Sequence, residues 1–502
     1  MSEALAFDPE DILEIPIITP EDNEAVDGGM PHGDASEDHQ ERSSVAAELV
    51  TMTLEDYDLG ITEDGDPFVV PKTGPQVALR LDHGRHSLEA ELAARYFAET
   101  GRCATEAALG QAMRVVSGMA ARTEPRPLFI RAATHENCIY VDIGDATGRA
   151  IEVTREGWSI RDSVPVTFYR TGLTGELATP VKEFSIWDLW RVLNVADADQ
   201  PLVLAWLLSV WMEHVPCPIL AVSGEQGTGK STASRILADL VDPSLAPLRR
   251  PPSSDKDWPV VASGSRLIAL DNVSKISPAL SDTLCRTCTG ESDVRRRLYS
   301  NNDQVVYSYR RALLLNGIAI SDVRGDLADR LVLCELRPIE TRVTEEFLRE
   351  VYAEIRGPLV HALLDLLAQV WALLPGIVVE DMRRMGDYMR VLAAVDQILG
   401  TSGLAHYRAR LIDMASETTG NDIVLAAIAA AFPRGWNGLA SQLAEVVSPH
   451  APPGPYWPKS GGALSKYLTR VAPVARQSGW VIEEGQDRAN HRKTWSIIPP
   501  PV

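Results

Sequence analysis

The chain has 502 residues, enough for about three domains, and it carries 48 Lys and Arg residues against 69 Asp and Glu residues, a formal net charge of −21. Residues 1–70 contain 20 of the acidic residues and a single basic one, Arg42, so the remaining chain is nearly neutral. The acidic total therefore does not exclude a nucleic-acid partner for the body of the protein.

Several classes of protein are excluded by the composition. The first residues have neither the basic nor the apolar segment of a signal peptide. The most apolar run, residues 202–212, is about half the length of a membrane span, so no membrane association is expected. Six cysteines are too few for a disulfide framework, and we expect a reducing cytoplasm as the compartment.

The first two segments differ in how much apolar surface they can bury. Residues 1–75 alternate short apolar clusters with acidic residues, Pro and Gly, which predicts a mostly disordered arm. Within residues 76–180, apolar residues recur at helical spacing over 86–122, and short runs rich in β-branched and aromatic residues follow from 128 to 171. These patterns predict a small α+β module.

A glycine-rich loop follows a predicted helix at 186–214 and an apolar strand at 219–222. Its eight residues, GEQGTGKS at 224–231, fit the pattern G-x-x-x-x-G-K-[ST] in full, and an amphipathic helix follows. In such a loop the backbone N–H groups and the helix N-terminus hold phosphates, Lys230 reaches the β- and γ-phosphates, and Ser231 ligates Mg²⁺. The sequence predicts ATP and Mg²⁺ as ligands, and the expected nucleotide-contacting residues are Gly224, Glu225, Gln226, Gly227, Thr228, Gly229, Lys230, Ser231 and Thr232.

A second ligand for the magnesium ion is expected at the end of another buried strand. Four apolar residues precede Asp271, which is the candidate, and Asn272 stands where hydrolytic ATPases of this kind usually have Glu. An Asn side chain cannot accept the proton of water, although it can orient a water molecule, and Glu225 or Glu291 could serve as the base. Reduced or partner-dependent hydrolysis is therefore an open alternative to vigorous ATP hydrolysis.

Two further residues are assigned by their order along the chain. Asn316 ends the next apolar strand, where an amide would touch the γ-phosphate or the attacking water; alternatively, Asn316 and Gly317 form an ordinary turn. Arg330 precedes the last strand, where a ring ATPase presents an arginine finger to its neighbour, and Arg324 is the second candidate. The alternative for each arginine is an ion pair with Asp326 or Asp329.

A basic segment lies between Asp271 and Asn316. Two strand-like runs flank an Asn-Asn-Asp turn, which predicts a β-hairpin that carries Arg295, Arg296 and Arg297 interleaved with tyrosines. Arginine with tyrosine suits a phosphate backbone and stacking bases, whereas the alternatives are a solvated hairpin and a subunit interface. Upstream, Cys285 and Cys288 are interpreted as buried small side chains of a helix.

Four motifs occur in order within about 110 residues: GEQGTGKST, LIALDN, LLLNG and DLADR. They resemble the helicase core of superfamily 3 and the related phage D5-like primase-helicases, and more narrowly the ATP-binding proteins of actinobacterial phages and mobile elements. The resemblance covers about residues 125–340. It implies an AAA+-type α/β domain in a hexameric ring that binds ATP between subunits and moves on single-stranded DNA in a bacterial host. No primase site is evident, so a separate chain would supply priming.

The last two segments are a helical region at 341–420 and a tail at 421–502. In the tail, three predicted helices at 421–432, 436–447 and 460–474 precede a β-hairpin, which is the winged-helix order. The helix and hairpin carry basic residues that we expect to contact DNA, namely Lys466, Arg470, Arg492 and Lys493. The alternative is a packing module with a solvated hairpin.

Taken together, the patterns predict an α/β protein: a P-loop NTPase core at 181–340 of AAA+ or superfamily 3 type, preceded by the arm and the α+β module and followed by the helical region and the winged-helix-like tail. The leading functional hypothesis is a DNA-acting ring ATPase, a replicative helicase of a phage or mobile element. The alternative is a nucleotide-switched DNA-binding regulator or loader with little hydrolysis. The acidic arm either solubilises the protein or competes with DNA for basic surfaces.

Overall fold

The computed structural model describes residues 44–500 apart from 82–86, 184, 253, 255–256, 291–292, 297–303, 308, 318–322, 324, 421, 451–456 and 487–491. Most of the predicted acidic arm, residues 1–43, therefore lies outside the described residues.

The described residues before position 180 form three helices and two sheets. The helices are α1 (Val45–Asp56), α2 (Leu88–Thr100) and α3 (Glu106–Ala120). A five-stranded sheet has the order β1-β2-β3-β9-β4 and comprises β1 (Tyr57–Ile61), β2 (Pro67–Pro71), β3 (Val77–Arg80), β4 (Leu128–Phe129) and β9 (Thr167–Tyr169). An antiparallel sheet follows the chain order and comprises β5 (Ala132–His135), β6 (Cys138–Asp142), β7 (Ala150–Val153) and β8 (Trp158–Arg161). The predicted α+β composition is thus present.

The prediction of disorder up to residue 75 was wrong for residues 45–75. This stretch forms α1, β1 and β2, and Leu49, Phe68 and Val69 are fully buried. Leu49 and Val69 belong to a small core that also contains Leu88 and Leu92 of α2. Local composition does not reveal this core because the later helices provide much of its apolar surface.

Four parallel strands form the central sheet in the order β11-β14-β10-β15. They are β10 (Ile219–Ser223), β11 (Leu267–Leu270), β14 (Ala312–Asn316) and β15 (Leu331–Glu335). Their side chains are almost all buried, as expected for a parallel sheet that is covered on both faces. The helices of this region are α4 (Gln200–Trp211), α5 (Lys230–Val241), α6 (Trp258–Ala262), α7 (Pro278–Thr289) and α8 (Gly325–Ala328).

The predicted helix at 186–214 is divided into two parts. A 3-10 helix spans Ile186–Arg191, and α4 begins only at Gln200. Every residue of α4 is buried, and its two indole N–H groups donate to backbone oxygens: Trp206 to Pro218 and Trp211 to Val241, each at 2.9 Å. These bonds satisfy polar groups that burial would otherwise leave without partners.

The predicted strand pair and the helix that carries Cys285 and Cys288 both lie between β11 and β14 in the chain. Strands β12 (Asp293–Arg296) and β13 (Gln304–Tyr307) are antiparallel, with Asp293 opposite Tyr307. Cys285 and Cys288 are buried on α7 as predicted, and burial raises the pKa of each thiol to about 12.

Three helices follow the sheet: α9 (Glu345–Leu373), α10 (Gly386–Leu399) and α11 (Gly403–Gly420). By length and composition, the helical stretch Glu345–Gly376 could cross a membrane, and 61% of its most apolar window is buried inside the protein. Leu359, Leu363 and Leu367 of α9 lie in the same apolar core as the central sheet. These contacts are those of a core helix.

The tail contains α12 (Ile423–Ala431), β16 (Trp436–Leu439), α13 (Ala440–Val447), α14 (Gly461–Gln477), β17 (Val481–Gln486) and β18 (Lys493–Ile498). The strands form an antiparallel sheet in the order β16-β18-β17 and, with the helices, enclose a separate apolar core. The predicted helix at 436–447 was wrong at its start, because residues 436–439 pair with β18. This pairing partner lies more than 50 residues away and leaves no local signal.

Candidate functional site

The carboxyl edge of the parallel sheet brings together the residues predicted to bind nucleotide. The glycine-rich loop follows β10 directly, Asp271 follows β11, and Asn316 is the last residue of β14. Because parallel strands end at the same edge, residues far apart in sequence become neighbours there.

The loop has a backbone that only glycine adopts readily at several positions. Gly227 and Gly229 have φ angles of 86° and 80°, in the left-handed region where a Cβ atom is costly. A Cβ atom on Gly224 would lie 2.9 Å from Oγ1 of Thr228, and that hydroxyl donates to the carbonyl of Glu225 at 3.0 Å. Glu225 and Gln226 are exposed. The glycines therefore let the loop curve tightly before α5.

Lys230 and Ser231 occupy the first turn of α5, and Thr232 follows them. The Lys230 ammonium group donates to the carbonyls of Gly224 and Glu225 at 2.9 and 2.7 Å. The Ser231 hydroxyl donates to Oδ1 of Asp271 at 2.8 Å. The loop is thus closed over the helix N-terminus, and a hydroxyl and a carboxylate oxygen lie side by side.

Asn316 connects three of the elements at this edge. Its Nδ2 donates to Asp271 Oδ1 at 2.8 Å and to the hydroxyl of Ser234 at 3.1 Å, and its Oδ1 accepts the backbone N–H of Asn272 at 2.8 Å. Asn316 is 2% exposed. Asn272 adopts a φ angle of 55°, which Asn tolerates better than most residues. The amide of Asn316 therefore fixes the position of the Asp271 carboxylate.

Two residues beside the loop were missed by sequence reasoning. The Asn194 amide donates to the carbonyl of Thr228 at 3.2 Å and to that of Arg337. The Arg342 guanidinium approaches the loop closely enough that a Cβ atom on Gly227 would lie 2.9 Å from its Nη2. Neither residue belongs to a motif, and only the packing of distant segments places them here.

Arg330 is located at the other edge of the sheet, directly before β15. Its side chain is 3% exposed and pairs with Asp326 at 2.8 Å, and Arg384 pairs with the same carboxylate at 2.7 Å. The single chain therefore does not present Arg330 to a neighbour, as an arginine finger requires. The arrangement is the ion pair that was the alternative interpretation. Arg324, the second candidate, and Glu291, a candidate base, lie outside the described residues.

The predicted DNA-contacting residues of the hairpin are described only in part. The backbone of Arg295 and Arg296 lies in β12, with Arg295 opposite Val305, whereas Arg297 lies outside the described residues.

In the tail, helix α14 and the hairpin both carry basic residues. Lys466, Arg470, Arg492 and Lys493 are all exposed. The Lys493 ammonium group donates to the hydroxyl of Thr469 in α14 at 3.3 Å and pairs with Glu484 at 2.6 Å. The Arg470 guanidinium lies 5.8 Å from the ring centre of Tyr467. The structure thus joins the helix and the hairpin through Lys493.

Two family models match consecutive parts of the chain. Residues 186–417 match the model of the actinomycete integrative conjugative element replication protein, and residues 424–501 match the model of the C-terminal domain of the same RepA family. Together they cover 310 of the 502 residues. The chain belongs to this replication protein family. The match agrees with the narrower resemblance to mobile-element proteins, while the relationship to D5-like primase-helicases stays a prediction.

Comparisons with individual proteins add little to this membership. No curated protein matches the chain. An A-form apo structure of the NrS-1 C-terminal region is 13% identical over 90% of this chain and 99% of its own, with a TM-score of 0.38. Another apo structure of that region is 12% identical over 91% and 100%, with a TM-score of 0.39. Similarity at this level carries no argument about the site.

Proposed function

We propose that this replication protein is an ATP-dependent, DNA-acting ring ATPase, a replicative helicase of a mobile element that works in the cytoplasm of its bacterial host. The observation that carries the proposal is the meeting of Lys230, Ser231, Asp271 and Asn316 around a glycine loop at one edge of a parallel sheet. Membership in a replication family supports DNA as the partner.

The residues of the site fit the phosphates of ATP. The loop glycines leave the backbone N–H groups free of Cβ atoms, and α5 points its N-terminus at the loop. The Lys230 ammonium group donates hydrogen bonds to two loop carbonyls. Its flexible side chain can leave them and reach the β- and γ-phosphates. Arg342, beside Gly227, adds a second positive charge near the loop.

A magnesium ion also fits the donors that the site offers. Mg²⁺ prefers oxygen ligands, and the Ser231 hydroxyl and Asp271 carboxylate are 2.8 Å apart. When bound, the ion supplies charge neutralisation between the phosphates. Asn316 donates a hydrogen bond to the Asp271 carboxylate, and its proposed role is to sense the γ-phosphate or the attacking water.

The mechanism of hydrolysis rests on positioning and electrostatic stabilisation. Lys230 and the helix N-terminus neutralise phosphate charge, and Asn272 orients water without accepting its proton. Of the two candidate bases, Glu225 is exposed on the loop, whereas Glu291 lies outside the described residues. A hexameric ring would bind each ATP between subunits, and an arginine from the neighbour would complete the site. For Arg330 to do so, its pair with Asp326 would have to open.

The C-terminal tail is proposed as a winged-helix-like DNA-binding domain. Its order of one helix, a strand, two helices and a two-stranded hairpin supports this. Lys466 and Arg470 on α14, with Arg492 and Lys493 on the hairpin, are the proposed contacts. A separate primase would supply priming.

A second candidate is a nucleotide-switched regulator or loader, which the presence of Asn272 in place of a general base favours. One assay separates the two candidates: ATP turnover with and without single-stranded DNA, measured alongside strand displacement. DNA-stimulated turnover with unwinding is expected for the motor. Tight ATP binding without turnover would overturn the motor and favour the switch, and no ATP binding would overturn both.

A further inference from the structure

Three arginines gather at the amino edge of the parallel sheet, opposite the candidate ATP site. Arg266 directly precedes β11, and Arg310 and Arg311 directly precede β14. They line a cavity of about 560 Å³. Its other side is formed by residues of the two sheets and turns before residue 180, including Phe129 and Tyr169. This volume is typical of ligand-binding cavities, which measure about 300–1,000 Å³.

The three guanidinium groups hydrogen-bond to backbone carbonyls and, among the described residues, form no ion pair with a carboxylate. The bonds are 2.7–3.1 Å long and run from Arg266 to Val210 and Arg310, from Arg310 to Glu213 and His214, and from Arg311 to Ala262 and Arg310. Arg266 is 1% exposed, and its Nη2 has no hydrogen-bond partner in the described part of the chain. The Nε of Arg310 also lacks one.

This clustering is electrostatically unfavourable, and the carboxylates of Asp242 and of Glu213, which lines the same cavity, offset only part of the cost. Burial and the charge of Arg266 together lower the pKa of Arg311 to about 10, although Glu213 and Asp242 act in the opposite direction. Burial likewise lowers the pKa of Arg266. Buried cations are normally paired with anions because desolvation is costly. An anionic group in the cavity would offset this cost.

Aromatic rings lie beside the arginines. The Arg80 guanidinium lies 5.1 Å from the ring centre of Tyr169, and Tyr309 precedes Arg310 in the chain. Tyr309 also lies on the segment that joins strand β13 of the hairpin to β14. An arginine cluster beside aromatic faces is the combination that binds the backbone and bases of single-stranded nucleic acid.

The turn between β1 and β2 places negative charge on the same cavity. Glu63, Asp64 and Asp66 line it, and burial, followed by the charges of Asp66 and Glu63, raises the pKa of Asp64. Asp66 is 3.6 Å from Arg80. Because these carboxylates repel an incoming phosphate, removing one of them should tighten the binding of an anion and weaken the binding of a cation.

We propose that this cavity binds single-stranded DNA, with a backbone phosphate against Arg266, Arg310 and Arg311 and a base stacked on Tyr169. The inference rests on the proposed DNA-acting function and adds a binding site apart from the tail and the hairpin strands. A DNA strand that follows the hairpin would enter the cavity through Tyr309.

The test uses the full chain with Lys466→Gln and Arg470→Gln, so that the tail contributes less to affinity. In this parent, Ser263→Asp adds a negative charge at an exposed position of the cavity, and Asp64→Asn removes one. The matched controls are Ser416→Asp and Asp413→Asn, both exposed on α11. Binding of a fluorescent 12-nucleotide oligothymidylate is measured by anisotropy at low salt, together with DNA-free ATP turnover.

Ser263→Asp should weaken binding by roughly threefold to tenfold, and Asp64→Asn should tighten it by about threefold. These are the effects expected when one unit charge is added or removed a few ångströms from a phosphate in water. Both controls should bind like the parent, and DNA-free turnover should be unchanged throughout. If Asp64→Asn weakens binding, or both cavity variants bind like their controls, the inference is overturned while the proposed function stands. A parent that neither turns over ATP nor binds DNA would overturn both.

A cross-linking experiment locates the bound strand. Oligonucleotides that contain 5-iododeoxyuridine should cross-link to Tyr169 or Tyr309 on irradiation, as identified by mass spectrometry. Cross-links confined to the tail would overturn the inference. Displacement of the oligonucleotide by an equal concentration of thymidine monophosphate would also overturn it, because the cavity would then bind a free nucleotide.

Discussion

The two edges of the parallel sheet carry polar residues in different settings. At the carboxyl edge, Ser231, Asp271 and Asn316 hydrogen-bond to one another across three elements. At the amino edge, Arg266 and Arg310 bond to backbone carbonyls and leave nitrogen atoms without partners among the described residues. The first edge is organised by its own side chains. At the second, buried guanidinium groups lie near the carboxylates of Glu213 and Asp242 but form no ion pair with them among the described residues. If both proposals hold, one sheet separates nucleotide chemistry from DNA contact.

The largest effect is expected from breaking the carboxyl edge at Lys230. Lys230→Ala removes the cation that would neutralise the β- and γ-phosphates, so ATP binding and DNA-stimulated turnover should be lost, with turnover falling by at least about 100-fold. Radiolabelled ATP binding and phosphate release measure this. Lys275→Ala, an exposed lysine after β11, is the control and should behave like wild type. Unchanged turnover in Lys230→Ala would refute the site.

A narrower change at the same edge tests the role of Asn316. Asn316→Ala removes a donor to Asp271 and the acceptor for the Asn272 N–H group, so we expect turnover to fall by about 10-fold to 100-fold while nucleotide binding is largely kept. Single-turnover hydrolysis and equilibrium ATP binding separate the two effects. If binding and hydrolysis fall equally, Asn316 supports the loop but does not act on the γ-phosphate.

At the amino edge, substitution of Arg330 tests whether this residue stabilises the fold or acts as an arginine finger. Arg330→Ala removes a buried side chain and leaves Arg384 as the remaining partner of Asp326. We expect a loss of about 1–2 kcal/mol in the free energy of unfolding, since Asp326 is half-exposed. Denaturant unfolding measures it, with Arg337→Ala, an exposed arginine, as the control. Unchanged stability together with lost hydrolysis in the oligomer would show that Arg330 acts on a neighbour.

The same pair predicts a pH dependence. Partial burial acts to raise the pKa of Asp326, but the hydrogen bond from Arg330 and the charges of Arg330 and Arg384 hold it below its ordinary value of 3.8. Stability from this pair is therefore present above about pH 3.8 and is lost as the pH falls through the lowered pKa. The difference in stability between wild type and Arg330→Ala should shrink in acid.

If the amino edge is one place where DNA binds, the tail is the other. The double variant Lys466→Gln, Arg470→Gln should weaken binding of single-stranded DNA by about tenfold and reduce the salt slope by about 1.4. Titrations at several salt concentrations measure both. Lys182→Gln with Arg349→Gln, at two exposed positions outside the tail, removes the same charge and should have little effect. Equal effects would reduce the tail to a solvated packing module.

The smallest effect is expected from the acidic arm. Deletion of residues 1–43, which hold 13 acidic residues and one basic residue, leaves the folded α1 intact and removes the charge that would compete with DNA. DNA affinity should rise by a few-fold at low salt and not at high salt. Replacement of the arm by a neutral linker of equal length is the control for chain length. No change in affinity would assign the arm a solubilising role.

Much of the candidate site was predictable from local sequence. The loop pattern, the apolar strand before Asp271 and the strand that ends in Asn316 are short segments, and parallel strands bring their carboxyl ends together whatever the rest of the chain does. The α+β character of residues 76–180 and the hairpin were predictable for the same reason, since periodicity and turn residues are local.

Tertiary structure alone decided the remainder. Residues 45–71 fold because distant helices share their core, and residues 436–439 become a strand because β18 pairs with them. The ion pair of Arg330 with Asp326, four residues away, was one of two alternatives in the sequence, and the burial of the Arg330 side chain in the folded chain decided between them. Arg266 and Arg310 meet only because two strands that are 45 residues apart begin side by side. Such contacts depend on the path of the whole chain, which a short segment does not encode.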